Sequence, residues 1–273
     1  MNKVAIIDAD SLLYFEMGKD TLEEAIQGID SRLLEILHKT DSDSIIGFLT
    51  KGKCFRYDVA KSKPYKHNRP GASKPPIFYA LKAYIQQPPW NFKTFDGLEA
   101  DDLVGLARTW HLEKGFATEC TICSPDKDVL KQLPGKHYNY QKAEFHETSK
   151  EEAEAFLWKQ VLMGDSTDGI PGIPGLGIKT ADAIIDNMPD VLSYAQVVLN
   201  KYIEKFKLDE GIRRFAETFS LVRMHTDIDI ASFDVPALNS IGEDFFETVP
   251  IDLFKLVRVA NEVNGFREED EWE

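Results

Sequence analysis

Short clusters of acidic residues are the groups in this chain whose types and spacing suit metal chemistry. They are Asp8 with Asp10, Glu99 with Asp101 and Asp102, Asp126 with Asp128, and Asp165 with Asp168. Gathering so many carboxylates is costly without cations, because like charges raise one another's pKa. Mg²⁺ and Mn²⁺ prefer carboxylate and water oxygens. Two such ions about 4 Å apart can activate a water and stabilise the leaving oxygen in phosphodiester cleavage. The clusters therefore indicate a metal-dependent phosphodiesterase.

A second interpretation of the same acids stays open. Acids at helix starts also act as N-caps and as partners of the helix dipole, and this is a fair alternative for any single one of them. Glu99 and Asp102 are three residues apart in a predicted helix and share a face of it, and Asp165 and Asp168 have the same spacing. Four clusters, two of them after predicted strands, favour a metal site. The sequence contains no His-rich or Cys-rich stretch, which argues against a zinc site.

A loop dense in glycine and proline runs from Gly169 to Gly177 between two predicted helices. Glycines permit close backbone approach, and the first N–H groups of the following helix can bind a phosphate, with Lys179 adding a cation. The spacing does not fit a Walker A motif. The loop therefore predicts contact with a phosphate backbone, while a ligand-free connection between helices remains the alternative.

A basic segment contrasts with the net charge of −14. Nine Lys or Arg lie between Lys51 and Lys82, interrupted by a single acid, Asp58. An acidic protein with one such segment can still bind a polyanion. Within this segment, Tyr65 can stack on a base, and four cations can contact phosphates. These cations are Lys61, Lys63, Lys66 and Arg69. A solvated surface loop is the alternative.

The elements that must position these residues follow from hydrophobic periodicity. Strands are predicted at 4–8, 44–49 and 118–123, and helices at 21–39, 76–87, 97–114, 151–163 and 180–188. Residues 51–76 are expected to form an exposed loop or a mobile helical segment, and 190–265 to be mostly helical with an irregular stretch at 226–250. This order predicts an α/β fold with a helical appendage, with ligands at the carboxyl ends of the strands, where Asp8 lies.

Cellular context follows from what the sequence lacks. Cys54, Cys120 and Cys123 are too few for a disulfide framework, and the last two lie in a predicted buried strand, where core cysteines are expected. The sequence contains no run of eighteen apolar residues, so no membrane span is predicted. The N-terminus indicates a strand rather than a signal peptide. A cytoplasmic protein is expected. The acidic tail 268–273 is expected to be solubilising, with replication proteins as alternative partners.

Taken in order, these motifs resemble the flap endonuclease and 5′→3′ exonuclease family. The similarity is greatest to its bacteriophage branch, which includes phage ribonuclease H and the 5′-nuclease domains of bacterial DNA polymerases. It covers about Val4 to Asn187 and depends on Glu99-Ala-Asp101-Asp102, Ser124-Pro-Asp126-Lys-Asp128 and Gly164-Asp165-x-x-Asp168 with its glycine loop. If phage-encoded, the protein would act in the host cytoplasm. The resemblance implies a PIN-like α/β nuclease core with a mainly parallel sheet at 1–150, bearing a basic helical arch at about 51–76. It implies a helical region at 151–273, with a helix–three-turn–helix motif at about 157–188.

The resemblance also implies a role for each matching residue. Asp8, Glu99 and Asp101, with Asp102 adjacent, correspond to ligands of a first or bridging Mg²⁺ or Mn²⁺. Ligands of a second ion correspond to Asp126, Asp128, Asp165 and Asp168. Lys66 and Arg69 match basic residues that steer the scissile phosphate. The residues that grip duplex DNA correspond to Gly172, Gly175, Gly177 and Lys179, and main-chain carbonyls of that loop hold K⁺ in relatives.

One position departs from the family pattern. Relatives place an aspartate before the Lys-Gly-Lys-like turn, where this chain has Thr50. Asp10 and Asp58 are the candidates to compensate. The leading hypothesis is a monomeric 5′ nuclease that cuts DNA or RNA–DNA primers at 5′ ends or flaps. The alternatives are a DNA-binding protein with weakened catalysis and a PIN-type ribonuclease.

Overall fold

The computed structural model describes residues 2–69, 74–188 and 191–226, which form two compact units. The sheet unit comprises residues 2–54, 74–153 and 224–226. The helical unit comprises residues 55–69, 154–188 and 191–223. A single boundary near 150 does not capture this division, because residues 55–69 group with the later helices. The irregular stretch predicted at 226–250 lies outside the described residues beyond residue 226, as do the helical residues predicted up to 265 and the acidic tail 268–273.

The sheet unit contains a five-stranded sheet in the order β2-β1-β3-β4-β5. Its strands are β1 (Lys3–Asp8), β2 (Ser44–Phe48), β3 (Glu119–Cys123), β4 (Gly135–Asn139) and β5 (Glu144–Thr148). All neighbours are parallel except β4 and β5. The three predicted strands are confirmed. The hairpin of β4 and β5 was missed because β5 is mostly exposed and polar, so it shows no apolar alternation.

Ten helices are assigned within the described ranges, together with a short hairpin. The helices are α1 (Ala9–Glu16), α2 (Leu22–Lys39), α3 (Arg56–Val59), α4 (Pro76–Ile85), α5 (Ala100–Glu113), α6 (Lys127–Gln132), α7 (Lys150–Met163), α8 (Ile178–Ile185), α9 (Val191–Phe206) and α10 (Leu208–Val222). The hairpin pairs β6 (Gly164–Asp165) with β7 (Ile170–Pro171). The sequence missed α1, α6 and this hairpin. None of the helices in the described part of the chain is long and apolar enough to cross a membrane.

The core of the sheet unit holds β1 in place from both faces. Residues Val4 to Asp8 are all buried, as expected for a central parallel strand. Leu12 of α1, Leu33 of α2 and Leu81 of α4 belong to one fully buried cluster on this sheet. The three cysteines are buried and unbridged, and burial raises the pKa of Cys120 to about 11. The interpretation of Cys120 and Cys123 as core residues is confirmed.

The register of the parallel strands determines where polar residues can gather. Asp8 pairs with Phe48 across β1 and β2, and Ile7 pairs with Cys123 across β1 and β3. The carboxyl ends of these strands therefore lie at one edge, with the loops that follow them. Asp8, Thr50 and Ser124 all belong to this edge.

The helical unit packs around aromatic side chains. Trp158 of α7 stacks on Phe219 of α10 at a centroid distance of 5.2 Å, and the buried Tyr202 hydroxyl donates to the Val161 carbonyl at 2.7 Å. Arg56 is only 2% exposed and donates to the carbonyls of Leu221 and Arg223, both at 2.9 Å. Residues 51–53 are exposed as expected, but the expectation of an exposed segment at 51–76 is wrong at residues 54–56, which are buried. Arg56 is a structural residue.

The hairpin of β6 and β7, whose second strand lies in the glycine loop, requires glycine at position 172. A Cβ there would lie 2.1 Å from the Met163 carbonyl carbon and 2.3 Å from the Gly164 nitrogen. These are backbone atoms, so they cannot move aside as a flexible side chain would. At Gly177 in the same loop, a Cβ would meet nothing within 4 Å.

Replacing Gly172 by alanine is expected to lower the free energy of unfolding by about 1–3 kcal/mol, the usual cost of overpacking. The matched variant Gly177→Ala is expected to cost about 1 kcal/mol or less, since it affects only an N-cap position. Thermal unfolding followed by circular dichroism measures both. Equal unfolding temperatures for the two variants would contradict the packing explanation.

Candidate metal and phosphate sites

Asp8 is a buried carboxylate at the strand edge. Asp8 is 5% exposed. The Ser124 Oγ donates a hydrogen bond to the Asp8 Oδ2 at 2.9 Å. Tyr140 Oη donates to its main-chain carbonyl at 3.1 Å. Burial raises the pKa of Asp8 to about 7, with the charges of Asp10 and Asp126 adding to the rise and the Ser124 hydrogen bond opposing it. This environment disfavours an added negative charge and favours a cation.

Ser124 connects Asp8 to the next acidic cluster. It is fully buried directly after β3, and its Oγ accepts the Asp126 N–H at 3.0 Å while donating to Asp8. Asp126 is the N-cap of α6 and accepts the Asp128 N–H at 2.7 Å. The cap role that the sequence left open is therefore present at Asp126. In the sequence, Ser124 begins the Ser-Pro-Asp-Lys-Asp motif, and its position directly after a predicted buried strand is the signal for its linking role.

Three further predicted ligands surround the start of α5. Glu99 is the buried N-cap residue, and its N–H donates to Asp102 Oδ2 at 3.4 Å. Asp102 is completely buried and also accepts the His225 N–H at 3.2 Å, whereas Asp101 is partly exposed and accepts the Asp102 N–H at 2.8 Å. These contacts give Asp102 a part in organising the fold of the sheet unit.

Thr50 lies in the loop after β2 and connects two of these clusters. Its N–H donates to both carboxylate oxygens of Asp10, at 3.2 and 3.3 Å, and its Oγ1 accepts the Ala100 N–H at 3.0 Å. Its carbonyl accepts Lys82 Nζ at 2.5 Å. Thr50 therefore joins α1, the loop after β2 and the start of α5.

The carboxylates of the sheet unit approach one another without forming a closed coordination shell. In the part of the chain that the structure describes, no three His, Cys, Asp or Glu side chains are close enough together to hold one ion. The donors at the strand edge are nevertheless all oxygens, a set that fits Mg²⁺ or Mn²⁺. The predicted ligand assignments stay predictions.

In the helical unit, Asp168 is surrounded by groups that favour its negative charge. Tyr65 Oη donates to its Oδ2 at 2.8 Å, Lys66 Nζ lies 3.7 Å from the same oxygen, and the Arg69 guanidinium pairs with Oδ1. The Lys66 N–H also donates to the Asp168 carbonyl at 2.7 Å. Both predicted phosphate-steering cations are thus placed by one carboxylate.

Tyr65 does not have the role that the sequence suggested. The residue is 5% exposed, and its ring contacts Tyr57 edge-on at a centroid distance of 5.2 Å. A ring buried in this way has no free face for a nucleobase, so the prediction of base stacking is wrong for this structure. Its hydroxyl serves instead to hold Asp168.

Residues 65–69 fit closely against the loop that contains Asp168. Asn68 Nδ2 donates to the Ser166 carbonyl at 2.6 Å, and a Cβ on Gly169 would lie 2.4 Å from His67 Nδ1. No residue from 60 to 69 is helical. The helical arch at 51–76 stays a prediction. Lys61 and Lys63 are exposed in this loop.

Asp165 differs from Asp168 in its partners. It lies in β6 and its Oδ1 accepts the Thr167 N–H at 2.7 Å. Within residues 2–69, 74–188 and 191–226 it forms no ion pair, whereas Asp168 forms two. The two aspartates that the sequence treated as equivalent therefore have different electrostatic environments.

The glycine loop separates into a structural part and an open part. Gly172 is required by the hairpin, whereas a Cβ at Gly175 or Gly177 would meet nothing within 4 Å. Gly175 has φ +87, a conformation that favours glycine. Gly177 is the N-cap of α8, whose first turn has no acid and carries the exposed Lys179. Lys159 of α7 pairs with Asp182 and Asp186 at 2.8 and 2.7 Å, which holds α8 against α7.

Comparison with known proteins places the chain in a family. Residues 3–158 match the model of the 5′-3′ exonuclease N-terminal resolvase-like domain. A 5′-3′ exonuclease of Buchnera aphidicola subsp. Acyrthosiphon pisum is 35% identical over 215 residues, which cover 68% of this chain and 70% of the relative. The flap endonuclease Xni of Shewanella halifaxensis is 26% identical over 253 residues, covering 84% of this chain and 96% of the relative.

Solved structures show the same fold. The flap endonuclease of bacteriophage T5, in complex with DNA and metal ions, superposes with a TM-score of 0.65 at 19% identity, covering 97% of this chain and 100% of the neighbour. The T5 5′-exonuclease with bound zinc gives a TM-score of 0.62 at 20% identity, covering 96% and 99%. The predicted PIN-like α/β fold and the resemblance to the 5′→3′ exonuclease family are confirmed. The chain therefore belongs to the 5′-3′ exonuclease family, and it is a nuclease.

Proposed function

We propose that this nuclease hydrolyses DNA at 5′ ends and 5′ flaps with two divalent ions, Mg²⁺ or Mn²⁺. The observation that carries the proposal is the buried Asp8 carboxylate, which lies with Asp10 and Asp126 at one strand edge. No ion pair to Asp8 is present in the described residues. Relatives named 5′-3′ exonuclease and flap endonuclease, and a neighbour solved with DNA and metal ions, support the substrate and the cofactor class.

The residues proposed to hold the first ion are carboxylates of the sheet unit. They are Asp8, Glu99, Asp101 and Asp102, and the second ion is assigned to Asp126 and Asp128. Such ions, when bound, activate water and polarise the phosphate. Ser124 orients Asp8 and fixes the backbone at Asp126. Assignment of Asp165 and Asp168 to a metal remains a prediction from the resemblance, as does K⁺ at the glycine loop.

Lys66 and Arg69 are proposed to stabilise negative charge that develops on the scissile phosphate. Both cations are engaged by Asp168 in the structure, so a phosphate would compete with this carboxylate. The contact positions the two cations before substrate arrives. Exposed Lys61 and Lys63 extend the same basic loop, and Lys179 with Gly175 and Gly177 is proposed to contact the backbone of duplex DNA.

Metal-dependent cleavage is the direct test of the proposal. A 5′-labelled flap duplex incubated with Mg²⁺ is expected to yield short 5′ products. Asp126→Asn is expected to reduce the rate by about 100-fold or more, since even residues that only support metal ligands cost 10–100-fold. The matched control is Asp20→Asn, because Asp20 is an exposed acid outside the clusters.

Several outcomes of that assay would contradict the proposal. Cleavage that survives EDTA would exclude divalent-ion chemistry. Preference for single-stranded RNA over the DNA flap would favour a PIN-type ribonuclease. Tight flap binding without product in Mg²⁺ or Mn²⁺ would favour the DNA-binding alternative that Thr50 suggests.

The hold of Asp168 on the basic loop can be tested separately. Asp168→Asn is expected to cost about 1–3 kcal/mol of local stability through lost charge-assisted hydrogen bonds. Amide hydrogen exchange in residues 65–69 should then accelerate at least about five-fold. The control is Asp165→Asn, whose carboxylate bonds only the Thr167 N–H within the described residues. Unchanged exchange in Asp168→Asn would show that the backbone contacts alone hold the loop.

The contribution of Lys179 to DNA binding is expected to be purely electrostatic. Lys179→Ala should weaken duplex binding in EDTA equally for different sequences and reduce the slope of log affinity against log salt by about 1. Fluorescence anisotropy over a salt series measures this slope. Lys142→Ala, at an exposed lysine of the sheet unit, serves as the control, and identical slopes for both variants would contradict the assignment.

A further inference from the structure

Thr50 cannot supply the negative charge that the resemblance places at its position. Its Oγ1 accepts the Ala100 N–H at 3.0 Å, and Ala100 is the first residue of α5. The hydroxyl is therefore used to fix the helix start beside Glu99. A threonine hydroxyl also stays neutral, so it cannot replace a carboxylate as a ligand for a hard cation.

Asp10 brings a carboxylate to the same place from a different element. It lies in the first turn of α1, two residues after Asp8, and its N–H donates to Asp8 Oδ1 at 3.3 Å. Both of its carboxylate oxygens accept the Thr50 N–H, at 3.2 and 3.3 Å. Since Asp8 and Phe48 are register partners on parallel strands, this places Asp10 between the carboxyl ends of β1 and β2.

The charge of Asp10 is not neutralised by an ion pair within the described ranges. Burial lowers the pKa of Lys82, and the nearby charge of Asp10 opposes this shift. The Lys82 Nζ donates a hydrogen bond to the Thr50 carbonyl at 2.5 Å. A carboxylate offers about four lone-pair sites, and one shared N–H leaves most of them available. A purely helix-dipole role at the N-terminus of α1 would not require the Thr50 contact.

Asp58 was the other candidate that the sequence offered. It lies in α3 of the helical unit, whereas the partners of Thr50 are Asp10, Ala100 and Lys82 of the sheet unit. The contacts therefore favour Asp10 and give no support to Asp58.

We propose that Asp10 is an additional ligand of the divalent ion at Asp8, oriented by the Thr50 N–H, and that it replaces the carboxylate missing at Thr50. This inference rests on the proposed function, because it assumes a divalent ion at Asp8. In this chain the carboxylate at this place comes from α1 instead of from the loop after β2. Thr50 then becomes a positioning residue for both Asp10 and α5.

Mn²⁺ binding without DNA tests the proposal independently of catalysis. Free Mn²⁺ is measured by electron paramagnetic resonance in titrations of the full chain. Asp10→Asn keeps an oxygen that can accept the Thr50 N–H but removes the charge, and it is expected to weaken the tighter Mn²⁺ site about ten-fold or more. The double variant Asp10→Asn/Thr50→Asp restores the carboxylate count and is expected to bind within about three-fold of wild type.

The controls separate failure of this inference from failure of the proposed function. Asp8→Asn should abolish the tighter site, and Asp20→Asn should leave it unchanged. Thermal unfolding checks that each variant is folded. If Asp8→Asn loses Mn²⁺ while Asp10→Asn binds as wild type does, Asp10 is not a ligand and the proposed function stands. If Asp10→Asn binds Mn²⁺ more weakly but the double variant Asp10→Asn/Thr50→Asp does not restore binding, Asp10 does not replace a carboxylate missing at position 50. If Asp8→Asn itself retains the tighter site, the proposed metal centre is wrong.

Discussion

The structure of the sheet unit depends on keeping the Asp8 carboxylate buried beside other carboxylates. Removal from water and the charges of Asp10 and Asp126 all act against its ionised form. The hydrogen bond from Ser124 offsets part of this cost. A buried charge without a counter-charge is strongly unfavourable, so a cation at this position would stabilise the unit as well as serve chemistry. If Asp8 holds an ion as proposed, stability and function are coupled at this one residue.

Hydrogen bonds from three elements enforce that arrangement. Ser124 after β3, Thr50 after β2 and the Asp10 N–H in α1 each contact Asp8 or its acidic neighbour. Their convergence follows from parallel register, because only parallel neighbours bring successive carboxyl ends to one edge. A one-residue slip of β1 would reverse its side chains and remove Asp8 from this edge. The buried apolar run from Val4 to Ile7 therefore fixes the register of β1 and with it the position of Asp8.

Much of this arrangement was predictable from sequence, and the exceptions have physical causes. Buried strands and amphipathic helices show clear apolar periods, so β1, β2, β3, α2 and α5 were predicted within a few residues. The exposed strand β5 and the hairpin of β6 and β7 lack such a period. Side-chain partners that are distant in sequence were not predictable: Tyr65 lies 103 residues from Asp168, and its burial against that carboxylate overturned its assignment as a base-stacking ring. Arg56 shows likewise that a cation in a basic run can be a structural donor.

Asp8 and Asp168 have different surroundings, which indicates different roles for the two carboxylates. Asp8 has carboxylate neighbours and lacks a cationic partner in the described residues, so it is suited to bind an ion. Asp168 has two cations and a tyrosine hydroxyl around it, so its charge is already balanced. A metal at Asp168 would have to displace Lys66 or Arg69, and a phosphate that attracts these cations would make that displacement easier. Substrate binding and metal binding at Asp168 would then favour one another through the same two side chains, a form of thermodynamic coupling. Asp165, with no competing cation among the described residues, needs no such exchange.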